Sequence, residues 1–179
     1  MEQPESRHRE DVNALDPLIL GGIIPDVVDD FVPCCEMAVY YGKDQVTNGC
    51  ELAPFATSSP PNVQIAGNFD DGSLFTLVMT DPDAPSPAEP SLGEYLHWLV
   101  TDIPGGTDPS KGKGVLPYER PKPPAGTHRY TFCLFKQSRP MMALAPVIRS
   151  NFSTKCFAQE HGLGLAVAAL YFKAQGMEP

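Results

Sequence analysis

Two apolar runs, Leu74-Phe-Thr-Leu-Val-Met-Thr80 and Leu96-His-Trp-Leu-Val100, are nearly continuous in hydrophobic character. A half-buried strand alternates apolar with polar residues, whereas a strand covered on both faces does not. These two therefore belong at the centre of a sheet packed above and below. Between them lies Asp81-Pro-Asp-Ala-Pro-Ser-Pro87. Proline fixes its own φ and pushes the preceding residue out of the helical region, so this segment is a rigid loop leaving a strand end.

The 179 residues include 20 prolines and 15 glycines. They cluster between apolar runs, the pattern of short strands joined by long loops. Further strands are predicted at Met37 to Tyr41, Val63 to Ala66, Arg129 to Lys136 and Ala166 to Lys173, and the second central run extends to Ile103. One helix is predicted over Thr154 to His161, with Ser153 as N-cap and Gly162 as the stop, and a helical turn around Pro25 to Phe31. Residues 1–14 are polar and predicted disordered, and no linker or repeat divides 15–179, so a single, mainly β domain is expected.

Thirteen basic against 22 acidic residues give a net charge of -9, which disfavours direct nucleic-acid binding and adsorption to anionic membrane. The longest near-continuous apolar run, Leu163 to Phe172, is too short to span a bilayer. The first residues, MEQPESRHRED, lack the apolar stretch of a secretory signal, so a cytoplasmic and nuclear location is expected. Five cysteines without a C-x-x-C pair then read as reduced and mostly buried thiols.

The residues able to carry chemistry are Asp81, Asp83, His97 and His128. The aspartates could form an Asx-type turn or one wall of a site. His97 lies inside an apolar strand, where an imidazole must find hydrogen-bond partners. His128 follows the loop Pro121-Lys-Pro-Pro-Ala-Gly126, and strand alternation places it on the same face as Tyr130 and Phe132, with Arg129, Thr131 and Cys133 opposite. If these strands share one sheet, two imidazoles, a phenol and two carboxylates meet. A metal-dependent enzyme using His97, His128 and Asp81 is one reading, although close ligand spacings are absent. An Asp-x-Asp divalent site lacks a phosphate-cradling glycine loop, and a hydrolytic triad lacks a nucleophile elbow. Small-anion binding fits better: histidine supplies N–H groups and a carboxylate behind it fixes the tautomer, provided at least one aspartate stays off the ligand.

Taken together, Asp81-Pro-Asp-Ala-Pro85, Leu96-His-Trp98, Thr101-Asp-Ile-Pro104, Gly126-Thr-His-Arg129, Asn151-Phe and Leu163-Gly-Leu165 resemble the phosphatidylethanolamine-binding protein (PEBP) family in its plant florigen-like form. The match runs from Asp16 to about Gln175. The resemblance implies a PEBP-like β-sandwich with a large central antiparallel sheet, a smaller sheet and short peripheral helices. It implies an anion pocket for phosphate or a phospholipid head group formed by Asp81, Asp83, His97 and His128, with Pro123 and Tyr130 as walls. It also implies no catalytic turnover, no cofactor and a monomer. Plant members of the family signal through 14-3-3 adaptors and bZIP transcription factors in flowering and seed germination.

Within that group the chain is most similar to the Mother-of-FT type, on Pro104-Gly-Gly-Thr107, Leu116-Pro-Tyr118, Tyr171-Phe-Lys-Ala-Gln175 and Glu178-Pro179. Tyr95 stands where tyrosine marks activators. Gly72 and Lys111 replace the arginine and phenylalanine of the florigen adaptor face, which implies weaker 14-3-3 binding. Pro104 and basic Lys136 are kept, and with Tyr95, Met141 and Leu144 they are the partner-surface candidates.

Overall fold

The computed structural model describes residues 14–176. The expected tail and the Glu178-Pro179 ending lie outside the described residues, apart from Ala14, which opens a turn before the first helix.

Nine strands form two sheets among the described residues. Strands β1 (Glu36–Tyr41), β2 (Asp44–Gln45) and β4 (Asn62–Ala66) make the small sheet in the order β2-β1-β4. Strands β3 (Cys50–Glu51), β5 (Leu74–Asp81), β6 (Tyr95–Pro104), β7 (Lys113–Leu116), β8 (Thr127–Gln137) and β9 (Ala168–Gln175) make the large one, in the order β3-β9-β8-β5-β6-β7. It is antiparallel except where β3 runs parallel to β9. The two apolar runs are neighbours inside it, β5 lying between β8 and β6.

Both faces of the large sheet are buried, and strand alternation divides the side chains between them. Phe75, Leu77 and Met79 of β5 and Tyr130, Phe132 and Leu134 of β8 meet Val39, Val63 and Ile65 of the small sheet. On the other face, Val78, Cys133 and Phe135 pack beneath helices α1 (Asp16–Leu20), α2 (Ile23–Asp26) and α3 (Thr154–Glu160), through Leu18, Ile23, Phe157 and Ala158. Each such fully buried side chain contributes about 1.5–3 kcal/mol of transfer free energy. A charged residue in the middle of either strand would therefore need its own partner.

The helix α3 starts and stops as expected. The Ser153 hydroxyl accepts the Cys156 amide at 3.1 Å, and Gly162 at φ 64 lets the Leu163 amide reach back to the Ala158 carbonyl at 2.9 Å. The predicted turn over Pro25 to Phe31 is not what forms. Ile24, preceding a proline, is extended at φ -100 and ψ 116, α2 ends at Asp26, and the chain then runs without helix past Val28 and Phe31, both buried. Helix α1, begun by Asp16-Pro17, is an element that the sequence reading lacked. The five cysteines are free, but only Cys133 is buried; Cys34 and Cys156 are exposed on a loop and on the outer side of α3.

Candidate functional site: a cavity at one end of the large sheet

Because β5 runs antiparallel to both of its neighbours, its last residue, Asp81, lies beside Tyr95 at the start of β6 and near His128 and Tyr130 at the start of β8. The expectation that these strands share one sheet therefore holds. A cavity of about 180 Å³ opens there, its walls including Asp81, Pro85, Tyr95, His97, Pro123, His128 and Tyr130.

His97 reaches the cavity through an irregularity. Met79 pairs with Trp98 and Thr80 with Leu96, which leaves His97 as an extra residue without an opposite number on β5. Such a β-bulge re-aims a side chain. The His97 ring lies 5.0 Å from that of Tyr95 and 5.3 Å, edge-on, from that of Tyr130. Its Nδ1 is 2.6 Å from the Glu119 carbonyl oxygen. A carbonyl only accepts, so Nδ1 carries the hydrogen and Nε2 of the neutral ring is the lone-pair nitrogen. Burial holds the imidazole below its ordinary pKa, against the opposing pull of the Glu119 carbonyl and the Asp81 charge.

His128 is committed on both sides. Nε2 donates to the Ala125 carbonyl at 2.7 Å, and Nδ1 lies 2.7 Å from Asp81 Oδ2, so one proton is held between the ring and the carboxylate. Burial works against the charged ring, but the Asp81 bond and charge outweigh it and the pKa is raised. The other oxygen of Asp81 accepts the Asp83 amide at 2.8 Å. Asp81 thus forms the Asx turn and orients a histidine, so the turn reading and the site reading describe the same carboxylate. Burial first, then the Asp81 charge, pushes the Tyr130 phenol far up.

Asp83 is not on the cavity wall. Its carboxylate takes a two-pronged bond from Arg129, Nε to Oδ2 at 2.9 Å and Nη2 to Oδ1 at 2.8 Å, and Oδ2 also accepts the Arg129 amide at 2.9 Å. Arg129 continues to the Gly21 carbonyl at 3.0 Å and the Asp26 carboxylate at 2.9 Å. One guanidinium therefore ties the aspartate loop to α1 and α2. Sequence reasoning missed this residue, although a signal existed: an arginine on the covered face of an apolar strand requires a carboxylate.

The metal reading does not survive this geometry. Both His128 nitrogens face protein partners, one a carbonyl that demands its hydrogen, so the ring has no lone pair to offer. Among the described residues no group of three or more His, Cys, Asp or Glu side chains is placed to hold a metal ion. Glu119, Arg120 and Lys122, which also line the cavity, were not anticipated; the first two precede the proline-stiffened loop and Lys122 lies within it.

The partner-surface candidates divide. Leu144 is 91% exposed and Lys136 is exposed, while Pro104 is half-buried at the end of β6. Tyr95 lines the cavity, its phenol pushed up to about 12 by burial and by Glu119. Met141 is a correction: it is 8% exposed and packs in the helix-side core, receiving the Thr76 hydroxyl at its sulfur, and Met142 at 96% takes the outward position. The Asp102 carboxylate accepts the Met141 amide at 2.9 Å and turns that residue inward.

Among the described residues no helix is long and apolar enough to cross a membrane. The family model described as phosphatidylethanolamine-binding protein matches residues 42–173. The chain is 46% identical over 164 residues to MOTHER of FT and TFL1 homolog 2 of Oryza sativa subsp. japonica, covering 90% of this chain and 93% of that one. It is 49% identical over 162 residues to TERMINAL FLOWER 1 of Arabidopsis thaliana, covering 90% and 91%. Among solved structures it resembles a carboxypeptidase Y inhibitor complexed with its cognate proteinase, with a TM-score of 0.82 at 28% identity over 90% of this chain and 94% of that one. A phosphatidylethanolamine-binding protein from Plasmodium vivax shares the fold, with a TM-score of 0.77 at 22% identity over 90% and 97%. The plant relatives are regulators rather than enzymes. The expected sandwich is present, the motifs on its rigid loop and two histidine strands line one cavity, and the chain belongs to the phosphatidylethanolamine-binding protein family.

Proposed function

We propose that the chain is a non-enzymatic regulator of plant development, in processes such as seed germination or flowering, whose cavity holds the phosphate-type group of a small anion or phospholipid head group. The observation that carries this reading is the placement of charge. The Asp81 carboxylate is already matched to His128 and that of Glu119 faces Arg149 at 3.5 Å, while Arg120 and Lys122 stand exposed on the cavity wall. An anion there meets net positive charge instead of a bare carboxylate.

Protein partners of the 14-3-3 and bZIP kind belong to the same reading. Its support is family membership together with Pro104 and Lys136 on the surface. Gly72 and Lys111 leave that face without an aromatic anchor. The pocket is tested by titrating inorganic phosphate and phosphoethanolamine into the wild-type chain and His97→Ala. Weaker binding by the variant is expected, and equal affinities would remove the cavity as the binding site.

A further inference from the structure

The residues Met142-Ala-Leu-Ala-Pro-Val-Ile148 are all apolar, yet Met142, Leu144, Val147 and Ile148 are exposed. The segment is anchored at both ends. The Met141 amide donates to Asp102, and beyond Ile148 the Arg149 carbonyl accepts the Leu96 amide at 2.8 Å while its guanidinium donates to the Leu96 and His97 carbonyls. Between these anchors no backbone group of 142–148 bonds another backbone group among the described residues. An exposed apolar strap held only at its ends can shift without breaking a ladder of hydrogen bonds, and exposed apolar surface of this kind marks a place where something else packs.

Between the strap and strands β6 and β7 lies a second cavity, of about 330 Å³, whose walls include Thr101, Lys113, Val115, Met141, Met142 and Leu144. It shares no wall residue with the cavity at Asp81 and His97, and Thr101 is six residues along β6 from Tyr95, about 20 Å at the usual rise of a strand. Thr101 is 1% exposed, and its Oγ1 has no hydrogen-bond partner among the described residues. Leu99 packs in the helix-side core and Val100 against the small sheet, so alternation turns Thr101 to the helix side, where Met141 and Val115 pack. A buried hydroxyl without a partner is costly, and native folds leave few of them. Lys113 brings charge to the same wall. Its Nζ lies 3.1 Å from Asp102 Oδ2 and its side chain is 65% exposed, so hydrogens of the ammonium remain for another acceptor. Asp102 is not on the wall, and its other oxygen accepts from Gln137 and Met141.

We propose that this second cavity binds a small amphiphilic carboxylate, whose head group accepts from the Thr101 hydroxyl and the Lys113 ammonium and whose apolar tail is covered by the strap 142–148. The head group follows from the donors: a carboxylate has acceptor positions for both and a charge that complements Lys113, which an alcohol lacks. The tail follows from the strap, since a hydrocarbon chain removes Met142 and Leu144 from water. Its length follows from the volume. A water molecule takes about 30 Å³ of the liquid, so the cavity suits about ten non-hydrogen atoms, the size of octanoate. The Thr101 hydroxyl is covered where the strap now lies, so the head group reaches it by a shift of the strap, which breaks no backbone bond. Nothing in this site depends on an anion bound near Asp81 and His97.

The test titrates octanoate, octanol and octylammonium into the full chain at about pH 7, where the acid is ionised, and follows binding by calorimetry and by amide NMR. Octanoate is expected to bind at least about tenfold tighter than either of the others and to move the signals of 142–148 and Thr101, not those of His97 and His128. From butanoate to octanoate the affinity should grow about fourfold per methylene. Thr101→Val keeps the shape and removes only the hydroxyl. It should weaken octanoate at least about fivefold and leave Tm unchanged or higher, because the hydroxyl has no bond within the fold to lose. Lys113→Met should abolish the preference for octanoate over octanol. Octanoate affinity that is the same in the wild type and both variants would overturn the inference, as would binding of none of the three probes. Signals that move around His97 instead of the strap, or displacement of octanoate by inorganic phosphate, would place the ligand in the other cavity and overturn it too. The wild-type measurements need no variant to fold, and phosphate binding at His97 can succeed or fail without changing their outcome.

Discussion

Oδ2 of Asp81 and Nδ1 of His128 lie 2.7 Å apart, and their side chains are 4% and 0% exposed. A carboxylate and an imidazole that are buried together are stable only as a pair, because removing either one leaves the other desolvated without its partner. Asp81→Asn is expected to destabilise the fold by about 3 kcal/mol. It also removes the proton partner of His128, whose midpoint should drop from above to below the ordinary histidine value. Urea unfolding gives the first quantity, and NMR titration of the ring carbons the second. A His128 midpoint unchanged in the variant would show that the pair does not set it.

The two histidines give stability opposite dependences on pH. His128 has a raised pKa in the fold, so its contribution is complete below the unfolded value of about 6.5 and is lost as pH climbs through the folded value. His97 has a lowered pKa, so the unfolded chain binds more protons and stability falls as pH drops from about 6.5 toward the folded value. Unfolding free energies across this range should show His97→Gln losing the acid-side decline and His128→Gln losing the alkaline-side decline. A wild-type curve unaffected by either substitution would contradict both assignments.

Arg129 joins the aspartate loop to α1 and α2 through Asp83, the Gly21 carbonyl and Asp26. Arg129→Met is expected to cost about 3 kcal/mol, since Asp83 is then left nearly buried without its counter-charge. Arg129→Lys should restore little, because an ammonium cannot reproduce the two-pronged bond. Hydrogen exchange should localise the loss to residues 15–27 and to the loop after β5. Exchange that accelerates uniformly over the whole sheet would argue against a local clamp.

Neighbouring methionines should respond oppositely to truncation. Met141→Ala removes a side chain packed in the helix-side core and is expected to cost about 2–4 kcal/mol. Met142→Ala changes a fully presented side chain and should stay within about 0.5 kcal/mol. Thermal unfolding of the two variants decides this. If partners dock on this loop, Met142 and Leu144 are the side chains whose loss weakens them, and a pull-down with each variant reads that out.

The sequence by itself determined the parts that depend on local preference and period. Continuous apolar character marked β5 and β6 as covered on both faces, Ser153 and Gly162 marked the ends of α3, and four prolines between 82 and 90 made the loop after Asp81 rigid. Each of these follows from interactions within a few residues, which a linear reading can weigh. The presence of Asp81, His97 and His128 at the candidate site was legible for the same reason: polar groups in or beside apolar strands must be satisfied.

Only the tertiary structure decided which partner satisfies each group. The bulge that turns His97 toward Tyr130 exists because β5 and β6 pair out of step at one residue, and register is a property of two strands, not one. Asp81 and Asp83 are two residues apart and chemically identical, yet one faces His128 and the other Arg129: the chain leaves β5 at Asp81 and turns, and His128 and Arg129, successive residues of β8, point to opposite sides of the sheet. The same distinction placed Met141 inside and Met142 outside, since a partly buried acceptor on β6, Asp102, captured the Met141 amide. Long-range pairing turned a proline-stiffened turn into the wall of a cavity, in which one hydrogen of His97 and one of His128 are already committed to the carbonyls of Glu119 and Ala125.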